Sequence, residues 1–143
     1  MLIRSGEDYV ELIPTDRVSD QLPTPGNTRL NVTICSSGFR GSGSTWVDST
    51  RLAAFLDELR VLDRQRRGVA ELESISPGEF QLRIQSVDRK GHLAVGGRLV
   101  QRVHGGDAGP HQHLVEFGFE FDPSILPHVL AGFKEIAGGH FNH

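Results

Sequence analysis

Among the residues whose types could do chemistry, His104, Asp107, His111 and His113 offer a candidate metal-ligand set. His111 and His113 are two apart, so they would share one face of a strand. Imidazoles with a nearby carboxylate are donors that suit zinc or a similar divalent ion. Against this, Gly105, Gly106, Gly109 and Pro110 make the stretch a loop without fixed geometry. Neither a helical His-x-x-x-His pair nor a cysteine set accompanies it. The plainer reading is a solvated hairpin loop. A metal- or small-ligand-binding domain built on His104, His111 and His113 is the alternative.

The run Gly38-Phe39-Arg40-Gly41-Ser42-Gly43-Ser44-Thr45 comes near a phosphate-cradling loop. Ser44 occupies the position where that loop needs a lysine, and Trp46-Val47-Asp48 separates the run from the helix whose amides would face the phosphate. A flexible or bulged strand connection explains it better. Cys35, the single cysteine, sits in a strand-like run with no local nucleophile signature, so it reads as a small packed residue. Glu71 with Glu73, and Glu116 with Glu120, are paired carboxylates, but they alternate with apolar residues as on any half-exposed strand. No Gly-x-Ser-x-Gly elbow marks a nucleophilic serine. Arg60, Arg64, Arg66 and Arg67 crowd one helix end, where exposed carbonyls favour cations, and no aromatic residues interleave them for stacking bases. The chain lacks a convincing catalytic constellation, and no cofactor is expected.

Composition agrees. The 143 residues are 37% hydrophobic and 23% charged, with a net charge of −3. Nucleic-acid binders usually carry a basic footprint, which is missing here. One domain spanning residues 1–143 is expected, with an ordered core over about 8–137 and a flexible tail over 138–143. One cysteine cannot close an intrachain disulfide. The N-terminus shows no signal-peptide core, and no apolar run is long enough to cross a bilayer, so a cytoplasmic location is expected. Oligomeric state does not follow from the sequence.

The elements that must position these residues are legible from periodicity. Tyr9 to Ile13 reads as a strand, and Pro14 to Thr28 as a long loop. Arg29 to Cys35 alternates, with Leu30, Val32 and Ile34 facing one way. Asp48 or Ser49 caps a helix whose stripe is Leu52, Phe55, Leu56, Leu59 and Leu62, ended by Gly68. Strands follow over 69–75, 79–85, 92–103, with a bulge or bend at Gly96-Gly97, and 115–121. Asp122 or Ser124 opens the last helix, with Pro127 in its first turn. The tight turns predict an α+β fold: a single twisted antiparallel sheet of about six strands with two amphipathic helices packed on one face.

The ordered set Ser36-Ser37-Gly38-Phe39-Arg40-Gly41, the helix Leu52-x-x-Phe55-x-x-x-Leu59-x-x-Leu62, then Gly68 to Leu72, Glu79 to Leu82, Gly91 to Val95, Leu114 to Phe119 and Asp122-x-Ser124-x-Leu126-Pro127 resembles the WapI-like family of bacterial immunity proteins. The resemblance covers about Tyr9 to Ile136. It implies an antitoxin role: binding and blocking a cognate toxin domain, often a nuclease. It carries over no functional residue. The sheet face away from the helices supplies the candidates for partner binding: Arg29, Asn31, Thr33, Glu71, Glu73, Glu79, Gln81, Arg83, Glu116 and Glu120. Such a face of mixed charge can read a partner by electrostatic complementarity.

Overall fold

The structure is a computed structural model that describes residues 1–19, 22–23, 25–107 and 109–139. Its strands are β1 (Leu2–Ser5), β2 (Asp8–Arg17), β3 (Thr28–Ser36) and β4 (Phe39–Val47), followed after helix α1 (Ser49–Gln65) by β5 (Val69–Glu73), β6 (Phe80–Ser86), β7 (Leu93–Val103) and β8 (His111–Phe121). A short 3-10 turn, Pro123–Ile125, leads into helix α2 (Leu126–Gly138). The α+β class holds. The expected single sheet does not: the strands form two four-stranded antiparallel sheets, β1-β2-β3-β4 and β5-β6-β7-β8, each in sequence order.

Two strands hidden in the sequence raise the count from six to eight. β1 is only four residues long, too short to show a period, although Ile3 is fully buried. In β4 the inward positions Gly41 and Gly43 carry no side chain, so the alternation that marks a strand is erased. Those glycines are where the sheets meet. A Cβ on Gly41 would lie 2.6 Å from the side chain of Val115, and one on Gly43 would lie 2.2 Å from Gln101 Nε2. Close packing between sheets, and no phosphate cradle, therefore explains the Gly-Ser-Gly run. The turn before it, Ser37-Gly38, has φ of 51° and 83°, the left-handed pair that a two-residue hairpin demands.

β2 also runs past its expected end to Arg17, absorbing Pro14 at a register shift between Pro14 and Asp16. The pairing of β6 with β7 passes through Gly96-Gly97 without a register shift, so these glycines form no bulge. A Cβ on Gly97 would lie 1.9 Å from the Gln81 carbonyl oxygen, which makes close backbone approach their reason.

The inward residues of both sheets and the helix stripes share one core, with Leu12, Leu30, Ile34, Leu52, Phe55, Leu82 and Phe133 fully buried or nearly so. Phe55 of α1 meets Phe133 of α2 edge to face, with ring centroids 4.8 Å apart. α1 packs on β5 and α2, and α2 reaches β1, so the helices engage both sheets and do not roof one face of a single sheet. The Asp48 carboxylate caps α1, accepting from the amides of Thr50 and Arg51 at 2.7 and 3.2 Å. The helix ends earlier than Gly68: Arg66 takes the left-handed cap conformation, and its guanidinium donates to the carbonyls of Asp63 and Pro123. α2 closes at Gly139. Most of the expected flexible tail, residues 140–143, lies outside the described residues, while Gly138 is the last helical residue. Among the described residues no helix is long and apolar enough to cross a membrane.

Candidate partner-binding face

In the second sheet the inward face carries Ala70, Leu72, Phe80, Leu82, Ile84, Leu93, Val95 and Leu99, together with Val115 to Phe121 at alternate positions. Period-two alternation sends the intervening residues outward. Register arranges them in rows across the sheet. Glu73, Gln81, Arg98 and Glu116 form one row. Glu71, Arg83, Gly96 and Gly118 form the next, and Val69, Gln85, Ala94 and Glu120 the third.

The middle of this grid lacks side-chain bulk. Ala94, Gly96 and Gly118 line a groove of about 670 Å³, bordered by Gln81, Arg83, Arg98, Glu116 and Glu120. Arg83 Nη2 lies 2.6 Å from Glu71 Oε1, across the β5–β6 pair. Both groups are substantially exposed, so this pair contributes little stability. Arg98 Nε is buried and has no hydrogen-bond partner. Glu73, Glu116 and Glu120 make no ion pair within 4 Å among the described residues. The grid sets the carboxylates of Glu71, Glu73, Glu116 and Glu120 against the guanidiniums of Arg83 and Arg98, an acidic excess. At its end, the Asp88 carboxylate pairs with His92 Nδ1. The Asp88 hydrogen bond, then its charge, raise the His92 pKa above the ordinary 6.5, and Glu120 adds to the rise. The hydrogen bond to His92, aided by backbone amides, holds Asp88 below 3.8.

The structure thus brings together Glu71, Glu73, Gln81, Arg83, Glu116 and Glu120. It does not bring the other candidates to them. Arg29, Asn31 and Thr33 lie on β3 in the first sheet, where Arg29 pairs with Trp46 and Asn31 Oδ1 accepts from Ser44 Oγ at 2.8 Å. Glu79 precedes β6; its carbonyl accepts from the Val100 amide at 2.8 Å, and it lines a separate cleft with Ser76, Pro77 and Arg102. Placing all ten residues on one face required one sheet, and there are two. Arg98 and the small residues Ala94, Gly96 and Gly118 were missed as parts of the groove. Glycine inside a strand run was the signal for them, since it marks a place where something approaches the backbone.

The remaining candidates do not assemble. His111 and His113 lie in β8, opposite Val103 and Gln101, and not in a loop as expected, while His104 and Asp107 sit in the connection before it. Among the described residues no three His, Cys, Asp or Glu side chains converge to hold a metal ion. Cys35 is half-buried on β3, between Tyr9 and Arg40. Of the clustered arginines, Arg60 pairs with Asp57 at 2.7 Å and Arg66 with Asp63 at 3.9 Å. A family model, the immunity protein WapI-like family, matches residues 1–138. No curated protein and no solved structure matches the chain.

Proposed function

The chain belongs to the immunity protein WapI-like family, and from that membership we propose that it is a bacterial antitoxin that binds a cognate toxin domain and blocks it. The observation that supports a binding mode is the outward face of β5 to β8, a wide polar grid around a groove that no element among the described residues fills. Its acidic excess suits a basic partner, and a nuclease domain, which must hold nucleic-acid phosphates, is the toxin class of that chemistry. The mode is occlusion: the protein covers the toxin's working surface and performs no reaction. It acts in the cytoplasm, where an incoming toxin domain would meet its target. The test is growth of cells that express the toxin domain encoded beside this gene. Co-expression of this chain restores growth and the two proteins co-purify. Continued toxicity with no complex defeats the reading.

Among the described residues no three His, Cys, Asp or Glu side chains gather to hold a metal ion, so the metal form of the alternative has no geometric support.

A further inference from the structure

Strand edges are exposed hydrogen-bonding templates, and a folded chain has to dispose of them. Three of the four sheet edges here are dealt with. β1 is short. β5 is covered by α1, whose Arg51 guanidinium donates to the Glu71 carbonyl at 3.0 Å. β4 is met near its end by the Ile75 amide, which donates to the Trp46 carbonyl at 2.9 Å. β8 differs. It runs for eleven residues and, among the described residues, its backbone pairs only with β7, although β1, β3 and β4 lie close to it. Among the described residues no hydrogen bond from outside its sheet reaches it. It carries no proline and no lysine, and its pairing has no register shift.

The ladder decides which groups this edge offers. A Cβ on Gly96 would lie 3.0 Å from the Phe117 carbonyl oxygen and 3.6 Å from Gly118 Cα. That closeness marks Gly96 and Gly118 as a pair that does not exchange hydrogen bonds, so the bonds to β7 come from Phe117 and Phe119. The amides and carbonyls of Glu116, Gly118 and Glu120 then point away from β7, toward the open edge. On the inward face, Val115, Phe117 and Phe119 pack against the core yet keep part of their surface exposed. The ring centroids of Phe117 and Phe119 lie 6.2 Å apart. On the outward face Glu116 and Glu120 flank the bare Gly118 beside the groove.

We infer that the β8 edge docks an extended strand of the toxin domain, which adds a fifth strand to the second sheet. This rests on the proposed antitoxin reading. Charge complementarity defines the incoming strand: Lys or Arg opposite Glu116 and Glu120, a large side chain opposite Gly118 that leans into the groove, and apolar residues on the other side against Phe117 and Phe119. A second copy of this chain is a poorer occupant. Two β8 strands paired antiparallel about Gly118 would set Glu116 against Glu120 twice, and like charges directly opposite repel.

The experiment is amide hydrogen exchange on the full chain, alone and with the toxin domain encoded beside it, paired with affinity measurements on Gly118→Val. At Gly118 an added Cβ meets only the Val95 carbonyl oxygen at 3.8 Å, so the variant folds and its thermal midpoint verifies this. The expected result is slowed exchange at Glu116, Gly118 and Glu120 in the complex, with at least a tenfold loss of affinity for Gly118→Val. A complex that protects other segments and leaves these amides exchanging freely overturns the edge inference while the antitoxin reading stands. Absence of any complex overturns both. Self-association of the free chain that protects the same amides overturns the choice of occupant.

Discussion

At the scale of single residues, the sequence was most legible where one side chain answers a local need. Asp48 precedes an apolar stripe of helical period and does cap α1 through two amides. Asp48→Ala is expected to lower stability by about 1 kcal/mol in urea unfolding. The Asp88–His92 pair was not legible, because its partners flank a turn whose geometry only the folded hairpin sets. It gives a pH prediction. With His92 raised and Asp88 lowered, the pair's contribution lies between the two pKa values. It fades as pH rises through the raised value of His92, and again as pH falls through the lowered value of Asp88. Asp88→Asn should bring the NMR titration midpoint of His92 down toward 6.5. A midpoint unmoved by the substitution would show that Asp88 is not the cause.

At the scale of elements, strands and helices with apolar alternation were legible, and those without it were not. β3, β6 and both helix stripes follow the expected pattern, because burial of one face demands it. β4 was concealed since its inward positions 41 and 43 are glycine, and the same absence of side chains hid the groove at Gly96 and Gly118. The glycines differ in what they tolerate. Gly97→Ala drives a methyl group into the Gln81 carbonyl and is expected to destabilise by about 1–3 kcal/mol, the usual cost of overpacking. Gly118→Val should leave the thermal midpoint nearly unchanged. A Gly97→Ala variant as stable as the native protein would mean that the β6–β7 approach is looser than described. Phe55→Ala, which empties the contact with Phe133, should cost about 3–5 kcal/mol by denaturant midpoint.

At the scale of the whole molecule, tight turns made the α+β class legible and family resemblance suggested the role, whereas the division into two sheets depended on contacts between residues far apart in the chain. That division separates Arg29, Asn31 and Thr33 from the carboxylates of β5 and β8, and so makes the two outward faces distinguishable by experiment. Partner binding is proposed for the second sheet. The most direct measurement is calorimetric titration of the purified chain with the adjacent toxin domain, comparing the native protein, the double variant Glu116→Lys with Glu120→Lys, and Asn31→Lys on the first sheet. The double reversal should weaken binding about a hundredfold, a loss on the order of 2.7 kcal/mol, while Asn31→Lys binds as the native protein does. Full affinity in the double variant, or loss of binding in Asn31→Lys alone, would contradict that placement.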